Sequence, residues 1–337
     1  MSIIMTGGGT GGHLAIIKAV KEALTDDQLI YIGSTKGQDQ AWFAEDSQFE
    51  TTHFLETQGV VNQGFLGKFK SLYLLIKAIF KARKILKASD AQVVFCVGGF
   101  SAAPTSFAAK SLGVPLVIHE QNASVGSLNN LLRPYAKAFI SSYEEESPVT
   151  AYPIKKEFFD KARVRTTIKT LIFLGGSQGA VAINKLAFEL APILKERGIK
   201  IIHQAGERNI DTVKAFYHDQ GIDAEVFGFT TRLSEYMKEA DFAIARSGAS
   251  TLWELCATAC PALFIPYPYA ANDHQYYNAK FLVDQDLAWI MREEAIDIPT
   301  ILSILDKNME AKSTELQAMT QDDGALQIAN LLRNIAS

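Results

Sequence analysis

Apolar residues in this chain alternate between short unbroken runs and stretches that recur every three or four positions. Ile3-Ile4-Met5 is such a run, and Ile16, Ile17, Val20 and Leu24 follow at helical spacing. That order predicts a buried strand feeding an amphipathic helix. Leu29 to Ile32, Val93 to Val97 and Leu116 to Ile118 read as further buried strands, with a helix around Thr105 to Ser111 stopped by Gly113-Val114-Pro115. The rhythm resumes at Leu171 to Leu174. It continues through Lys200 to His203, Ala224 to Phe227, Phe242 to Ala245, Ala262 to Ile265 and Ala288 to Met291. Strands alternating with helices imply an α/β fold with parallel sheets and right-handed crossovers. Tyr143 to Arg165 carries three consecutive glutamates, two prolines and no periodicity, which marks a linker. Residues 1–155 and 166–315 are the two expected domains.

Two strands end in glycine-rich turns that each open a helix. One is Thr6-Gly7-Gly8-Gly9-Thr10-Gly11-Gly12-His13 and the other Gly175-Gly176-Ser177-Gln178-Gly179-Ala180. A helix start presents unpaired N–H groups and the positive end of its dipole, both suited to an anion. Two such turns half a chain apart point to two Rossmann-like domains facing a central cleft, with an anionic ligand between them. Gly7, Gly9 and Gly12 also satisfy the dinucleotide pattern. However, the second strand ends Tyr31-Ile32-Gly33-Ser34-Thr35-Lys36, without the acid that would hold a ribose. NAD is disfavoured. NADP through Ser34 and Lys36 would leave the second turn unexplained.

Other strand ends carry candidate chemistry. His13, at a helix start, is either a neutral base or a loop hydrogen-bonding residue. Val97-Gly98-Gly99-Phe100 and His119-Glu120-Gln121-Asn122 follow buried strands. The second set suits a sugar or a catalytic constellation, or else a cap with a solvated Glu120. In Arg246-Ser247-Gly248-Ala249-Ser250-Thr251, the hydroxyls of Ser250 and Thr251 suit a phosphate. Glu254, one turn on, suits a ribose, or a capping box with Thr251. Pro266 to Asn278 is rich in aromatic and amide side chains, as carbohydrate sites are, with Asn272 or Asp273 able to cap a helix. Asp284-Gln285-Asp286 has the pattern of metal-dependent sugar transferases but falls at the far end of a helix, where two surface acids are the better reading.

Composition adds boundaries. The 337 residues are 48% hydrophobic and 21% charged, with net charge −4. These values describe an ordinary globular protein with no global attraction to nucleic acid. Cys96, Cys256 and Cys260 sit in apolar contexts without metal-ligand neighbours and read as packed thiols in a reducing compartment. No apolar run reaches membrane-spanning length, and the first strand begins too early for a signal peptide. From Gly64 to Lys87, Leu66, Phe69, Leu72, Tyr73, Ile76 and Phe80 are interleaved with Lys68, Lys70, Lys77, Lys81, Arg83, Lys84 and Lys87. No acid lies between Glu56 and Asp90. A basic amphipathic helix suits an anionic membrane surface, or a core helix with a wet basic face.

Taken together these motifs, with Asp273-His274-Gln275 and Asn278-Ala279, resemble the MurG family of peptidoglycan N-acetylglucosaminyltransferases in order and over the chain to about residue 280. The resemblance implies a GT-B fold, no cofactor and no metal. It also implies transfer of GlcNAc from UDP-GlcNAc to the 4-hydroxyl of MurNAc in a lipid-linked pentapeptide, at the cytoplasmic face of the bacterial membrane. Cell-wall synthesis proteins are expected partners; nucleic acid is not. Residues 316–337 are expected to hold a helix, Gly324 to Ile335, returning to the first domain. Carried onto this sequence, the family's motifs make Ser177, Ser250 and Thr251 pyrophosphate contacts and Glu254 the ribose clamp. Arg246 and Ala249 belong to the same donor motif. Asn122, His274 and Gln275 read the sugar. Thr10, Gly11 and Gly12 line the donor side of the cleft, and His13 is the base, with Glu120 the alternative. The chain departs from the family at Leu14-Ala15-Ile16-Ile17, which lacks a proline, and at Phe100, which replaces a tyrosine. It departs again at Lys155, which replaces an arginine at a phosphate, and at Thr230, where an isoleucine meets the uracil.

Overall fold

The structure, a computed structural model, describes residues 1–57, 65–176 and 179–337, with residues 65–69 described as backbone only. The chain divides into two compact units, Met1–Ile154 with Asp323–Ser337, and Lys155–Asp322.

In the first unit the chain runs β1 (Ser2–Thr6), α1 (Gly11–Glu22), β2 (Gln28–Ser34), α2 (Asp39–Phe43), β3 (Thr51–Leu55) and α3 (Phe65–Ala88). It continues β4 (Val93–Cys96), α4 (Ala103–Leu112), β5 (Leu116–Glu120), α5 (Ser127–Leu132) and β6 (Ala138–Ser141). All neighbours pair in parallel, in the order β3-β2-β1-β4-β5-β6. The strand order reverses between β1 and β4, and in such sheets the crevice beyond that switch point receives ligands. β5 runs two residues beyond its apolar run, so His119 and Glu120 lie inside the strand and are buried, not in a loop leaving it. The edge strand β3 opens on polar residues and is only half-buried, and the apolar part of β6 is the short Ala138-Phe139-Ile140.

α3 is one 24-residue helix. Leu74, Ala78, Ala82 and Leu86, spaced four apart, are buried on the core. Leu72, Tyr73, Ile76 and Phe80 are exposed, Tyr73 by 66% and Phe80 by 62%. Lys70, Lys77, Lys81, Lys84 and Lys87 are exposed beside them. One face of the helix is thus core-packed and the other exposes apolar and basic side chains together.

The second unit contains α6 (Lys156–Phe159), β7 (Thr170–Leu174), α7 (Val181–Glu196), β8 (Lys200–Gln204), α8 (Ile210–Asp219) and β9 (Ala224–Phe227). It continues α9 (Leu233–Glu239), β10 (Phe242–Ala245), α10 (Ala249–Ala257), β11 (Ala262–Phe264), α11 (His274–Val283), β12 (Trp289–Ile290), α12 (Ile298–Leu305) and α13 (Glu310–Met319). Its parallel order β12-β11-β10-β7-β8-β9 repeats the first sheet, with the switch point between β7 and β10. Arg165, in the expected linker, is 1% exposed and belongs to this unit. Its guanidinium donates to the carbonyls of Met237 and Ala240 at 2.8 and 2.9 Å and to that of Thr258. A cation is thus placed on the carbonyl ends of α9 and α10, where helix dipoles favour it. Buried His203 is held between Tyr217 Oη at 2.9 Å and Asn184 Oδ1 at 3.0 Å.

The last helix, α14 (Gly324–Ala336), is part of the first unit and packs on α1 and β4. Ile328, Ala329 and Leu332 are buried, and Arg333 pairs with Asp27 at 2.8 Å.

Candidate functional site

In the first unit the turns after β1 and β4, which flank the switch point, lean on one another. A Cβ at Gly7 would lie 2.4 Å from the Val97 side chain, and one at Gly99 would lie 2.4 Å from the Gly8 carbonyl. Both glycines have positive φ, so no other residue fits. Beneath them sits Asp39, fully buried. Its carboxylate accepts from the Gly9 amide at 2.7 Å, the Ser34 amide at 3.0 Å and the Tyr31 hydroxyl at 3.0 Å. Burial, reinforced by the Asp39 charge, pushes the Tyr31 phenol far above its ordinary range. The acid absent from the end of β2 is thus supplied by α2, and it faces backbone where no ribose can reach. Ser34 is also fully buried, its hydroxyl taken up by Lys36 N and Thr57. No nucleotide phosphate can reach it, so the dinucleotide readings fall.

Thr10 caps α1 by position. Its hydroxyl, instead of capping, meets His13 Nδ1 at 2.9 Å. Gln121, the first residue after β5, brings its side-chain nitrogen to 3.0 Å from His13 Nε2. Gly11, Gly12 and His13 form the half-buried first turn of α1.

Glu120 is 2% exposed, not solvated. It accepts from the Asn122 amide at 3.0 Å, the Gly126 amide at 2.9 Å and Asn129 Nδ2 at 2.8 Å. A carboxylate so engaged organises its loop and offers little as a general base. Asn122 leans its side chain towards the same carboxylate at 3.4 Å. Fully buried His119 lies edge-on to Phe95, and burial, with a contribution from His13, pushes its imidazole down to about 3.

In the second unit, Ser177 lies outside the described residues. Before it, Gln204 Oε1 accepts from the Gly176 amide at 3.1 Å. Across the switch point, α10 is capped by Gly248, not by Ser250 or Thr251, and no side chain bonds that cap, so a Thr251–Glu254 capping box is not formed. Ala249, Ser250 and Thr251 make up the first helical turn instead. Asn278, fully buried on α11, donates to the Ser247 carbonyl at 3.1 Å and pins the turn before α10. Glu254 is half-buried on α10. Burial raises its carboxyl to about 7; Lys155, at the start of α6, pulls it down and Glu157 adds to the rise. Lys155 itself pairs with Glu157 at 3.4 Å.

Thr230 lies in the turn after β9, accepting from the Arg232 amide at 3.0 Å, beside Phe229, which is 59% exposed. Arg246 is engaged within the unit. It donates to the carbonyls of Ile265 and Pro266 at 2.9 and 3.0 Å and to Glu293, fastening two loops. Gln275 Oε1 accepts from the Tyr267 amide at 3.0 Å, and His274 Nδ1 lies 2.8 Å from the Ala271 carbonyl. Asp273 stands at the cap position of α11, but its carboxylate pairs with Arg292 at 2.6 Å. Asp284 and Asp286 pair with Lys280 and Lys312, and no acid, histidine or cysteine cluster among the described residues fits a metal.

Two Rossmann-like sheets of this kind are matched in known proteins. Residues 3–141 match the glycosyltransferase family 28 N-terminal domain and residues 170–333 the family 28 C-terminal domain. The crystal structure of Acinetobacter baumannii MurG is similar with a TM-score of 0.80 and 26% identity over 99% of both chains. The chain is also 68% identical over 336 residues, all of its length and 99% of the relative's, to a protein from Sulfurovum sp. (strain NBC37-1). That relative is the UDP-N-acetylglucosamine--N-acetylmuramyl-(pentapeptide) pyrophosphoryl-undecaprenol N-acetylglucosamine transferase. The chain belongs to the MurG family. Its fold is GT-B. A relative of the same description from Sulfurimonas denitrificans is 54% identical over 96% of each chain.

Several residues that shape this MurG-family site are silent in the sequence. Asp39 lies five residues past the strand it serves, and only the sharp turn at Gly37, with positive φ, folds it back. Gln204 ends a strand with no motif around it. Asn278 was legible only as part of the Asp273 to Ala279 run, without its task.

Proposed function

We infer that this chain is the N-acetylglucosaminyltransferase of peptidoglycan assembly. It moves GlcNAc from UDP-GlcNAc to the 4-hydroxyl of MurNAc in undecaprenyl-pyrophosphoryl-MurNAc-pentapeptide. The observation that carries this is the identity to a transferase of that description along the whole chain, with the glycine-rich motifs following the strands β1, β4 and β7. UDP leaves with two negative charges to be held. The turn after β7 and the first turn of α10 offer N–H groups and hydroxyls for them, Ser177, Ser250 and Thr251 among these. Glu254 accepts the ribose hydroxyls, and Thr230 lies beside the uracil. Asn122, His274 and Gln275 read the sugar. His13 takes the proton of the acceptor hydroxyl as it attacks from the face opposite UDP, inverting the anomeric centre. The first unit serves the acceptor and the second the donor.

An acceptor with a polyprenyl tail requires work at a membrane surface, and no described helix is long and apolar enough to cross one. The exposed face of α3 supports peripheral attachment at the cytoplasmic side. Leu72, Tyr73, Ile76 and Phe80 supply apolar contact and the neighbouring lysines attract anionic lipid. The deciding experiment incubates the protein with UDP-GlcNAc, with and without a lipid-linked MurNAc-pentapeptide. UDP and a disaccharide lipid should form only with acceptor. Epimerised donor without acceptor, or binding without turnover, would overturn the reading.

A further inference from the structure

We propose that Gln121 is a positioning residue for His13. It fixes the imidazole in its working tautomer and stands on Nε2 until the acceptor hydroxyl takes that place. This rests on the reading of His13 as the base. Gln121 is 8% exposed, and its side-chain nitrogen lies 3.0 Å from His13 Nε2, while Thr10 Oγ1 lies 2.9 Å from Nδ1. Two partners on opposite edges of the ring set both its plane and its tilt. An amide N–H donating to Nε2 makes that nitrogen the unprotonated one and puts the ring proton on Nδ1, donated to Thr10. That is the tautomer in which Nε2 can accept a proton.

Gln121 is itself held in place. Glu120 gathers the Asn122 and Gly126 amides and the Asn129 side chain, which fixes the backbone on either side of Gln121's own attachment. Gln121 Oε1 is buried and meets no partner among the described residues. A buried acceptor left alone is costly, and the reaction gives it a use. The acceptor hydroxyl displaces the amide from Nε2 and gives its proton to that nitrogen. Its oxygen forms the bond to the anomeric carbon, and the bond from that carbon to UDP breaks with its electron pair leaving on UDP. A half-turn of the Gln121 amide then brings Oε1 to the new Nε2–H. One side chain thus serves both protonation states of the base, and the proton passes to solvent.

The test uses the full chain, with turnover measured from about pH 5.5 to 9 for wild type, Gln121→Leu, Gln121→Glu and His13→Ala. His119 on β5 lies in electrostatic reach of His13, and burial keeps it neutral. Loss of the N–H donor removes a stabiliser of the neutral ring, so the acid limb of kcat/KM in Gln121→Leu should move to higher pH. Gln121→Glu, with a carboxylate beside the ring, should move it further. Both should lower kcat by about 10- to 100-fold, with UDP-GlcNAc affinity unchanged. A merely structural residue would lower kcat without moving the limb. Limbs that superpose on wild type while His13→Ala is inactive overturn the proposal alone; full activity in His13→Ala overturns the base assignment beneath it. Nitrogen NMR of the wild-type imidazole needs no variant. An Nε2–H tautomer for His13 in the free protein would also overturn the proposal.

Discussion

The carboxylate of Asp39 accepts the Gly9 amide at 2.7 Å, so a negative charge already sits beneath the first glycine-rich turn. In the second unit the Gly176 amide has a neutral partner instead, the side-chain oxygen of Gln204. The two amide partners differ by one unit of charge. An anion is drawn to amides and helix starts and repelled by a seated carboxylate. This difference supports the proposal that the diphosphate is held in the second unit and that the first turn takes uncharged groups such as a sugar hydroxyl.

Asp39→Ala should strand the Gly9 and Ser34 amides away from water, while the Tyr31 hydroxyl keeps the Gly7 carbonyl at 2.8 Å. Each stranded donor costs roughly 1–3 kcal/mol. Urea unfolding should show a clearly lower midpoint, and turnover should fall while UDP binding stays within about twofold, calorimetry resolving tenfold as about 1.4 kcal/mol. An unchanged midpoint would mean that the turn holds its shape without its anion.

Glu254 gives donor binding a pH dependence. With its carboxyl raised to about 7, the group is neutral in acid and ionised in mild alkali, and the ionised form is the stronger acceptor for ribose hydroxyls. UDP-GlcNAc affinity should therefore climb by about tenfold as pH rises through 7. Folding stability moves the other way: between the ordinary carboxyl range and 7 the folded state binds more protons, so stability falls as pH rises. Glu254→Gln should flatten both curves. A pH-independent dissociation constant in wild type would remove Glu254 from the ribose.

The outer face of α3 predicts salt-sensitive membrane binding. Each exposed Lys near an anionic leaflet is worth about 1 kcal/mol. Lys70, Lys77, Lys81 and Lys84 replaced together by Gln should cut sedimentation with anionic liposomes, and wild-type binding should weaken as salt rises. UDP-GlcNAc affinity should not change. Equal sedimentation of the two proteins would leave α3 as a core helix with a wet basic face.

Two buried histidines, one in each unit, predict acid lability. Burial holds His119 and His203 down at about 3. Between the ordinary histidine range and 3 the unfolded chain binds the extra proton, so stability rises with pH and is lost on acidification. Each contributes about 1.4 kcal/mol per pH unit across that window. Equilibrium unfolding at several pH values should show the slope, and His203→Gln should remove the second unit's share. A flat profile would mean that both rings already carry protons in the folded protein.

Strand–helix alternation and the glycine turns made the doubly wound architecture readable, because a strand buried on both faces must be an unbroken apolar run. β3 escaped notice because it opens with Thr51-Thr52-His53, and β6 because its apolar part is only Ala138-Phe139-Ile140, whereas the edge strands β9 and β12 were readable. At the site, the backbone-shaping glycines and His13 could be located from spacing alone. The tasks of Asp39, Gln121 and Arg246 could not. Each is decided by which amide or carbonyl comes within 3 Å after folding, and Arg246, Asp273 and Glu120 make bonds within their own unit that their motifs do not record.

Because α14 completes the helix layer over α1 and β4, the first unit is assembled from two segments separated by the whole of the second. A ribosome makes Lys155–Asp322 as one continuous piece that can settle as it emerges, whereas Ile328 and Leu332 reach their pocket only after nearly every other residue has been synthesised. The unit that is translated first is therefore the one finished last, and until then it carries an uncovered apolar strip. Truncations and fusions at the carboxyl end bear on the unit that carries His13, although in sequence they lie next to the other.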